Sequence, residues 1–226
     1  MKLLSKGSSN IKIAKNEKSG KYLSFILHLA PSTLSGFNTC PMASNGCIKS
    51  CLNTAGNQAY QGMIQSARKR KTLLYFNDRP EFYKQLRQDI NKAIKQALKQ
   101  GKQAVIRLNG TSDLNFLDII REYPTVQFYD YTKVLKRLKL DIPENYHLTF
   151  SRSENNQNEC EQALRNGFNV AMVFDYKQGL PEQYLGYPVV SGENNDLRFL
   201  DKKNSIVGLI SKGKARYDET GFTIYQ

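Results

Sequence analysis

Ala104-Val-Ile-Arg-Leu108, Thr125-Val-Gln-Phe-Tyr129, Tyr146-His-Leu-Thr-Phe150 and Asn169-Val-Ala-Met-Val-Phe174 are short runs rich in β-branched and aromatic residues, evenly spaced along the second half of the chain. Between them lie helix-compatible segments near Leu114–Glu122, Thr132–Lys139 and Asn156–Asn166, the last stopped by Gly167. Tyr187-Pro-Val-Val190 and Ser205-Ile-Val-Gly-Leu-Ile210 continue the series. Strand–helix alternation of this kind implies right-handed β-α-β crossovers and a parallel sheet. The fold class that follows is α/β: a partial (β/α) barrel or a curled parallel sheet.

Upstream, Lys21-Tyr-Leu-Ser-Phe-Ile-Leu-His-Leu-Ala30 reads as a further strand. A cysteine-bearing loop follows from about Ser35 to Gln58, and a helix from about Ala59 to Phe76. The next helix is signalled at both ends. Asp78 caps it with Glu81 at the third position, Pro80 suits the first turn, and Gly101 stops it. Phe82, Leu86, Ile90, Ile94 and Ala97 share one face, and Lys84, Arg87, Lys92, Lys95 and Lys99 cover much of the rest. The chain reads as a single α/β domain over residues 1–226. It comprises an N-terminal strand and cysteine loop (1–58), basic helices (59–102) and strand–helix repeats (103–226).

With 226 residues and 40% hydrophobic content, such a domain fills a core without staples. No apolar run approaches the ~20 residues that span a bilayer, and Met1-Lys-Leu-Leu-Ser-Lys-Gly lacks the apolar stretch of a signal peptide. A soluble cytoplasmic protein is expected. The net charge of +13 is unevenly spread: residues 1–60 contribute +6, residues 61–102 +8 and residues 103–226 −1. A polyanionic partner such as nucleic acid is one reading, centred on Arg68-Lys69-Arg70-Lys71 and the lysine face of the following helix. A solvated face that keeps the protein soluble is the other.

Parallel strands place the residues after each strand at one end of the sheet, where ligands bind. Polar groups recur there: Asn109, Thr111 and Asp113; Asp130 and Lys133; Ser151 and Arg152; Asp196 and Arg198; Lys212. Individually, Thr111 and Asp113 suit helix capping. As a set they predict a polar cleft for a substrate or small-molecule cofactor.

Three of the four cysteines are bunched as Cys40-x6-Cys47-x3-Cys51 in a loop rich in Pro, Gly, Ser and Asn. Thiolates are soft ligands, and cytosolic redox conditions disfavour disulfides, so metal binding is the natural inference. A structural zinc site usually takes four protein ligands. Cys160 lies on a helical face with Ala163 and Leu164, and reads as a core residue. Three sulfurs without a fourth suit a [4Fe–4S] cluster with one open iron. Zinc, free thiols and a redox disulfide are the alternatives.

The segments Thr39-Cys-Pro-Met-Ala-Ser-Asn-Gly-Cys-Ile-Lys-Ser-Cys51, Ala67-Arg68 to Asp78, Arg107-Leu-Asn-Gly-Thr-Ser-Asp113, Tyr187-Pro-Val-Val-Ser-Gly192, Asp196-Leu-Arg-Phe-Leu-Asp201 and Val207-Gly-Leu-Ile-Ser-Lys-Gly-Lys-Ala215 occur in that order. Together they resemble the phage gene-product-88-like family. The likeness implies a protein of viral or plasmid descent working in the host cytoplasm. More loosely, a three-cysteine loop ahead of a partial barrel resembles the radical S-adenosylmethionine enzymes, in which the open iron binds the cofactor. Those usually carry C-x3-C-x2-C with an aromatic residue before the last cysteine, where this chain has wider gaps and Ser50. Two functions follow: an iron–sulfur enzyme of radical type, or a nucleic-acid-binding protein whose loop is stiffened by metal.

Overall fold

The computed structural model describes residues 1–7, 20–54 and 62–225. In chain order its strands are β1 (Leu4–Lys6), β2 (Tyr22–Leu27), β3 (Gln103–Arg107), β4 (Gln127–Thr132), β5 (Tyr146–Ser151), β6 (Val170–Phe174), β7 (Gln183–Tyr184), β8 (Tyr187–Ser191), β9 (Ile206–Ile210) and β10 (Thr223–Ile224). Its α-helices are α1 (Asn45–Lys49), α2 (Gly62–Asn77), α3 (Arg79–Leu98), α4 (Leu117–Arg121) and α5 (Gln157–Arg165). The α/β class and the mostly parallel sheet expected from the sequence are present. The sheet is not closed into a barrel, which agrees with the curled-sheet reading. The chain divides into two compact units. One is Met1–Cys40, Gly62–Asp130 and Asp141–His147; the other is Pro41–Gln61, Tyr131–Leu140 and Leu148–Gln226.

In the first unit the strand order is β1-β2-β3-β4, antiparallel at β1 and parallel elsewhere. β2 is buried almost throughout because it has a strand on each side. The short edge strand β1 is tied down by side chains rather than by further pairing. The Asp89 carboxylate accepts from the N–H groups of Leu3 and Leu4 at 2.6 and 3.1 Å, and Lys71 donates to the Leu3 carbonyl at 2.6 Å. Helix α3 starts as its sequence dictates, with Asp78 accepting from the Glu81 N–H at 3.0 Å and Pro80 in the first turn. It buries Phe82, Leu86, Ile90, Ala93 and Ala97, and Gly101 beyond its end takes φ +64°. Tyr75 and Phe82 meet edge to face at 5.0 Å within the core, and the half-buried Phe37 stacks on the half-buried Phe76 at 4.5 Å. The expected start of α2 at Ala59 lies outside the described residues.

In the second unit the order is β5-β6-β9-β8-β7, and β10 extends the pairing along β6. Helix α5 buries Cys160, Ala163 and Leu164 and stops before Gly167, whose φ is +82°. Two helices expected in the repeats are shorter than their sequence suggested. The segment near Leu114–Glu122 yields only α4, because the Asn109 side chain bonds both the N–H and the carbonyl of Leu114 and holds the approach as a loop. The segment Thr132–Lys139 yields a 3-10 turn over Leu135–Lys139, since β4 claims Thr132.

Candidate functional site

In the first unit, the chain after β3 folds back on itself through side-chain bonds. The Asn109 N–H and Nδ2 donate to the two oxygens of Asp130 at 2.7 and 3.2 Å, and the Tyr146 hydroxyl donates to the same carboxylate at 3.1 Å. Asp130 is fully buried, so Asn109 and Asp130 are brought together as expected but are committed to closing this loop. Thr111 donates to the Leu29 carbonyl at 2.5 Å, and the Asp113 N–H donates to the Thr39 carbonyl at 2.8 Å. These bonds seat Cys40 at the carboxyl ends of β2 and β3. Its sulfur accepts from the Ser32 N–H at 3.4 Å and lies 3.8 Å from the Thr111 carbonyl.

The other two loop cysteines belong to the second unit. Cys47 lies on α1 and Cys51 one turn later, just beyond the cap residue Ser50. The helix is only five residues long, and its start is held by a distant carboxylate. Glu154 accepts from the Gly46 N–H and from the Ser44 hydroxyl, both at 2.6 Å, while Ser44 in turn accepts from the Cys47 N–H at 3.2 Å. A negative group on the first turn complements its free N–H groups and dipole. Gly46 is buried beneath this contact. A Cβ there would overlap Thr220 Oγ1 and lie 2.7 Å from Glu154 Oε2, so glycine is required by packing.

None of the four cysteines is in a disulfide; Cys40, Cys47 and Cys51 are partly exposed, whereas Cys160 is wholly buried. Burial pushes the Cys160 thiol up to about 12, against the partial relief of Arg152 and Lys133. Among the described residues no three His, Cys, Asp or Glu side chains are already gathered as a metal site.

Around β5, Lys133 donates to Ser151 at 2.8 Å, and Arg152 donates to the carbonyls of Gly221 and Phe222 at 2.9 and 3.0 Å. These three predicted residues therefore adjoin one another and the C-terminal segment. Lys212 pairs with Glu193 at 2.6 Å. Arg198 is withdrawn from solvent altogether, ion-paired with Asp201 at 3.0 Å and bonded to Asn195. Asp196 lends its carbonyl to the Arg198 N–H. A pocket of about 450 Å³ lies beside the loop's end, lined by Lys49, Ser50, Lys214, Tyr217, Asp218, Glu219 and Thr220.

A model of the family described as Gene product 88 matches residues 2–226. The chain belongs to the Gene product 88 family. The phage gene-product-88-like resemblance read from the cysteine loop and the later segments thus holds over nearly the whole length. No curated protein and no solved structure matches. Among the described residues of this Gene product 88 protein, no helix is long and apolar enough to cross a membrane.

The basic run of α2 is split by helix geometry. Arg68 is 4% exposed and Lys71 reaches back to Leu3, while Lys69 and Arg70 face solvent. Four consecutive residues cover every side of a helix, so the run is not one surface. Sequence reasoning passed over Gly46, Glu193 and the Asp218 turn. In that turn the Asp218 carboxylate accepts from Thr220 Oγ1 at 2.7 Å and from the Thr223 N–H at 3.0 Å.

Proposed function

We propose that this Gene product 88 protein binds a soft metal centre through Cys40, Cys47 and Cys51, a [4Fe–4S] cluster first and zinc as the alternative occupant. The observation that supports this reading is the sorting of the four sulfurs. The three loop thiols lie outside any disulfide and are partly exposed, and the fourth is buried with its thiolate form strongly disfavoured. The donor chemistry fits the group. Since no ready-made triad exists among the described residues, uptake of the metal closes the loop and contributes to its stability.

Cys40 comes with the strand ends that hold Thr111 and Thr39. Cys47 and Cys51 come with α1, whose first turn is clamped by Glu154. A three-cysteine cluster supplies one open iron for a small polar ligand, S-adenosylmethionine being the cofactor suggested by the resemblance to radical enzymes. The chain's own contribution is to present the thiols and to exclude Cys160. Anaerobic purification followed by iron, zinc and sulfide analysis tests the reading. Iron with matching labile sulfide, lost in each of Cys40→Ser, Cys47→Ser and Cys51→Ser and kept in Cys160→Ser, is the expected result. Metal-free protein from iron- and zinc-replete cells overturns it.

The second reading, a polyanion-binding surface, draws on the exposed Lys69 and Arg70 and on the lysines of α3. Several of that helix's cations are engaged locally, Arg87 with Glu122 at 2.7 Å and Lys84 with Glu81 at 3.3 Å.

A further inference from the structure

We propose that the pocket of about 450 Å³ between the end of α1 and the turn after β9 binds a nucleoside phosphate, with Lys49 and Lys214 on the phosphate and the Tyr217 ring against the base. Its volume falls in the range of small-molecule sites, roughly 300–1,000 Å³. Both walls belong to the second unit. One is the last turn of α1, which brings Lys49 and Ser50. The other is the 3-10 turn Gly213–Tyr217, with the Asp218 loop behind it. Three bonds hold this second wall. The Thr223 hydroxyl donates to the Ala215 carbonyl at 2.7 Å, the Thr223 N–H to the Asp218 carboxylate at 3.0 Å, and the Tyr225 hydroxyl to the Asp218 carbonyl at 2.8 Å. The walls meet where Thr220 Oγ1 lies against Gly46, and Leu52–Thr54 packs on Gly213–Tyr217. The cleft is thus held by the chain's own contacts, as pre-formed sites are.

The ligand class follows from what the walls present. Asp218 is buried, and its carboxylate is engaged by the Thr220 hydroxyl and the Thr223 N–H within its own loop. Lys49 and Lys214 are exposed and come from the two walls, so two ammonium groups flank one opening. A phosphate accepts charge-assisted bonds from both. The carboxyl end of α1 disfavours an anion, but a five-residue helix with Lys49 in its last turn has little field left to oppose one. Tyr217 lines the same pocket and is 80% exposed, so its ring face is open to stacking, which every base can use. Glu219 is exposed beside it and can accept from sugar hydroxyls, as carboxylates do in dinucleotide sites. Inorganic phosphate would leave the ring and this carboxylate unused, and a bare nucleoside would leave the lysines unused. A nucleoside phosphate engages all three. No cysteine lines the pocket, so the inference goes beyond the metal reading and does not depend on it.

The test is calorimetric titration of the full chain, as purified and at constant ionic strength, with adenosine monophosphate, uridine monophosphate, adenosine and inorganic phosphate. Saturable binding of at least one nucleotide at about 1 mM or tighter is expected, with adenosine and phosphate each weaker by about tenfold or more. Lys49→Gln and Lys214→Gln should each weaken the nucleotide by about fivefold or more. Tyr217→Leu should weaken it by about tenfold, the loss of one stacking contact. All three side chains are exposed, so unfolding midpoints should stay at the parent value. Lys203→Gln removes the same charge before the start of β9, at the other end of that strand from Lys214, and should leave the affinity unchanged. Metal content measured on the same samples should be unaltered in Lys214→Gln and Tyr217→Leu, which separates this site from the cysteine loop. The proposal is overturned if neither nucleotide binds saturably up to about 10 mM, or if phosphate binds as tightly as the nucleotides. It is equally overturned if Lys203→Gln weakens binding as much as the two pocket lysine variants do, since the effect is then one of diffuse charge. Binding of a short single-stranded oligonucleotide without response to either mononucleotide also overturns it, in favour of the polyanion surface.

Discussion

Replacing Gly46 by alanine separates two physical effects of opposite sign. Inside a helix, Gly→Ala normally stabilises by roughly 0.5–1 kcal/mol, because the backbone loses less entropy on folding. At Gly46 the added methyl has no room: it meets Thr220 Oγ1 and lies 2.7 and 2.8 Å from Glu154 Oε2 and Cδ. Thr220 cannot turn aside freely, since its hydroxyl donates to Asp218 at 2.7 Å. Glu154 can withdraw only by releasing the Gly46 N–H and the Ser44 hydroxyl. Each bond to a charged acceptor has a net value of about 1.5–3 kcal/mol, reduced here because Glu154 is partly solvated.

With the propensity gain subtracted, Gly46→Ala should destabilise by about 1–3 kcal/mol. Urea unfolding of the reduced protein reads this as a lowered midpoint at unchanged slope. The damage is local, so amide exchange across residues 45–49 and the rate at which Cys47 reacts with a thiol reagent should both rise. In a Glu154→Ala background the same substitution should cost less, because part of the clash is gone. A Gly46→Ala protein as stable as the parent, with Cys47 equally protected, would refute the claim that Glu154 positions the cysteine helix.

Four further outcomes are expected. Cys160→Ser should leave metal content unchanged and cost about 1–3 kcal/mol for a polar group placed in the core, checked by unfolding midpoint and metal analysis. Arg198→Met should cost about 3–5 kcal/mol by stranding the buried Asp201 carboxylate, whose pKa burial already raises, and adding Asp201→Leu should recover much of the loss. For His28, the folded pKa of about 3 lies below the ordinary 6.5, so between these values the unfolded chain binds more protons. Stability should therefore fall as pH drops through that window, and unfolding midpoints of His28→Asn should lose this acid sensitivity. Lys69→Gln with Arg70→Gln should flatten the salt dependence of any nucleic-acid affinity without altering stability, whereas Arg68→Gln should lower the unfolding midpoint.

What the sequence disclosed depended on the range of the forces involved. Helix α3 was legible at both ends because Asp78, Pro80, Glu81 and Gly101 act within a turn or two of themselves. The strands of the repeats were legible because their apolar runs must be covered on both faces. Helix α1 was not: five residues do not sustain a helix alone, and its support is Glu154, 108 positions beyond the Gly46 amide it accepts from. β1 escaped for the same reason, its pairing being secured by Asp89. Among site residues, position at a strand end did not reveal whether a side chain faces a ligand or closes its own loop. Asn109 and Asp130 close theirs, and Arg198 is drawn into an ion pair with Asp201. The basic run misled because four adjacent charges look like a patch in one dimension and wrap a helix in three. Yet the wrapping is informative, since it sends Arg68 inward toward the end of β2. A second signal lay in Ala104-Val-Ile-Arg-Leu108, where a guanidinium interrupts an apolar strand of a parallel sheet. Such a charge has to be accommodated within the fold. The register with Ile26, and through it with His28, identifies where it is held.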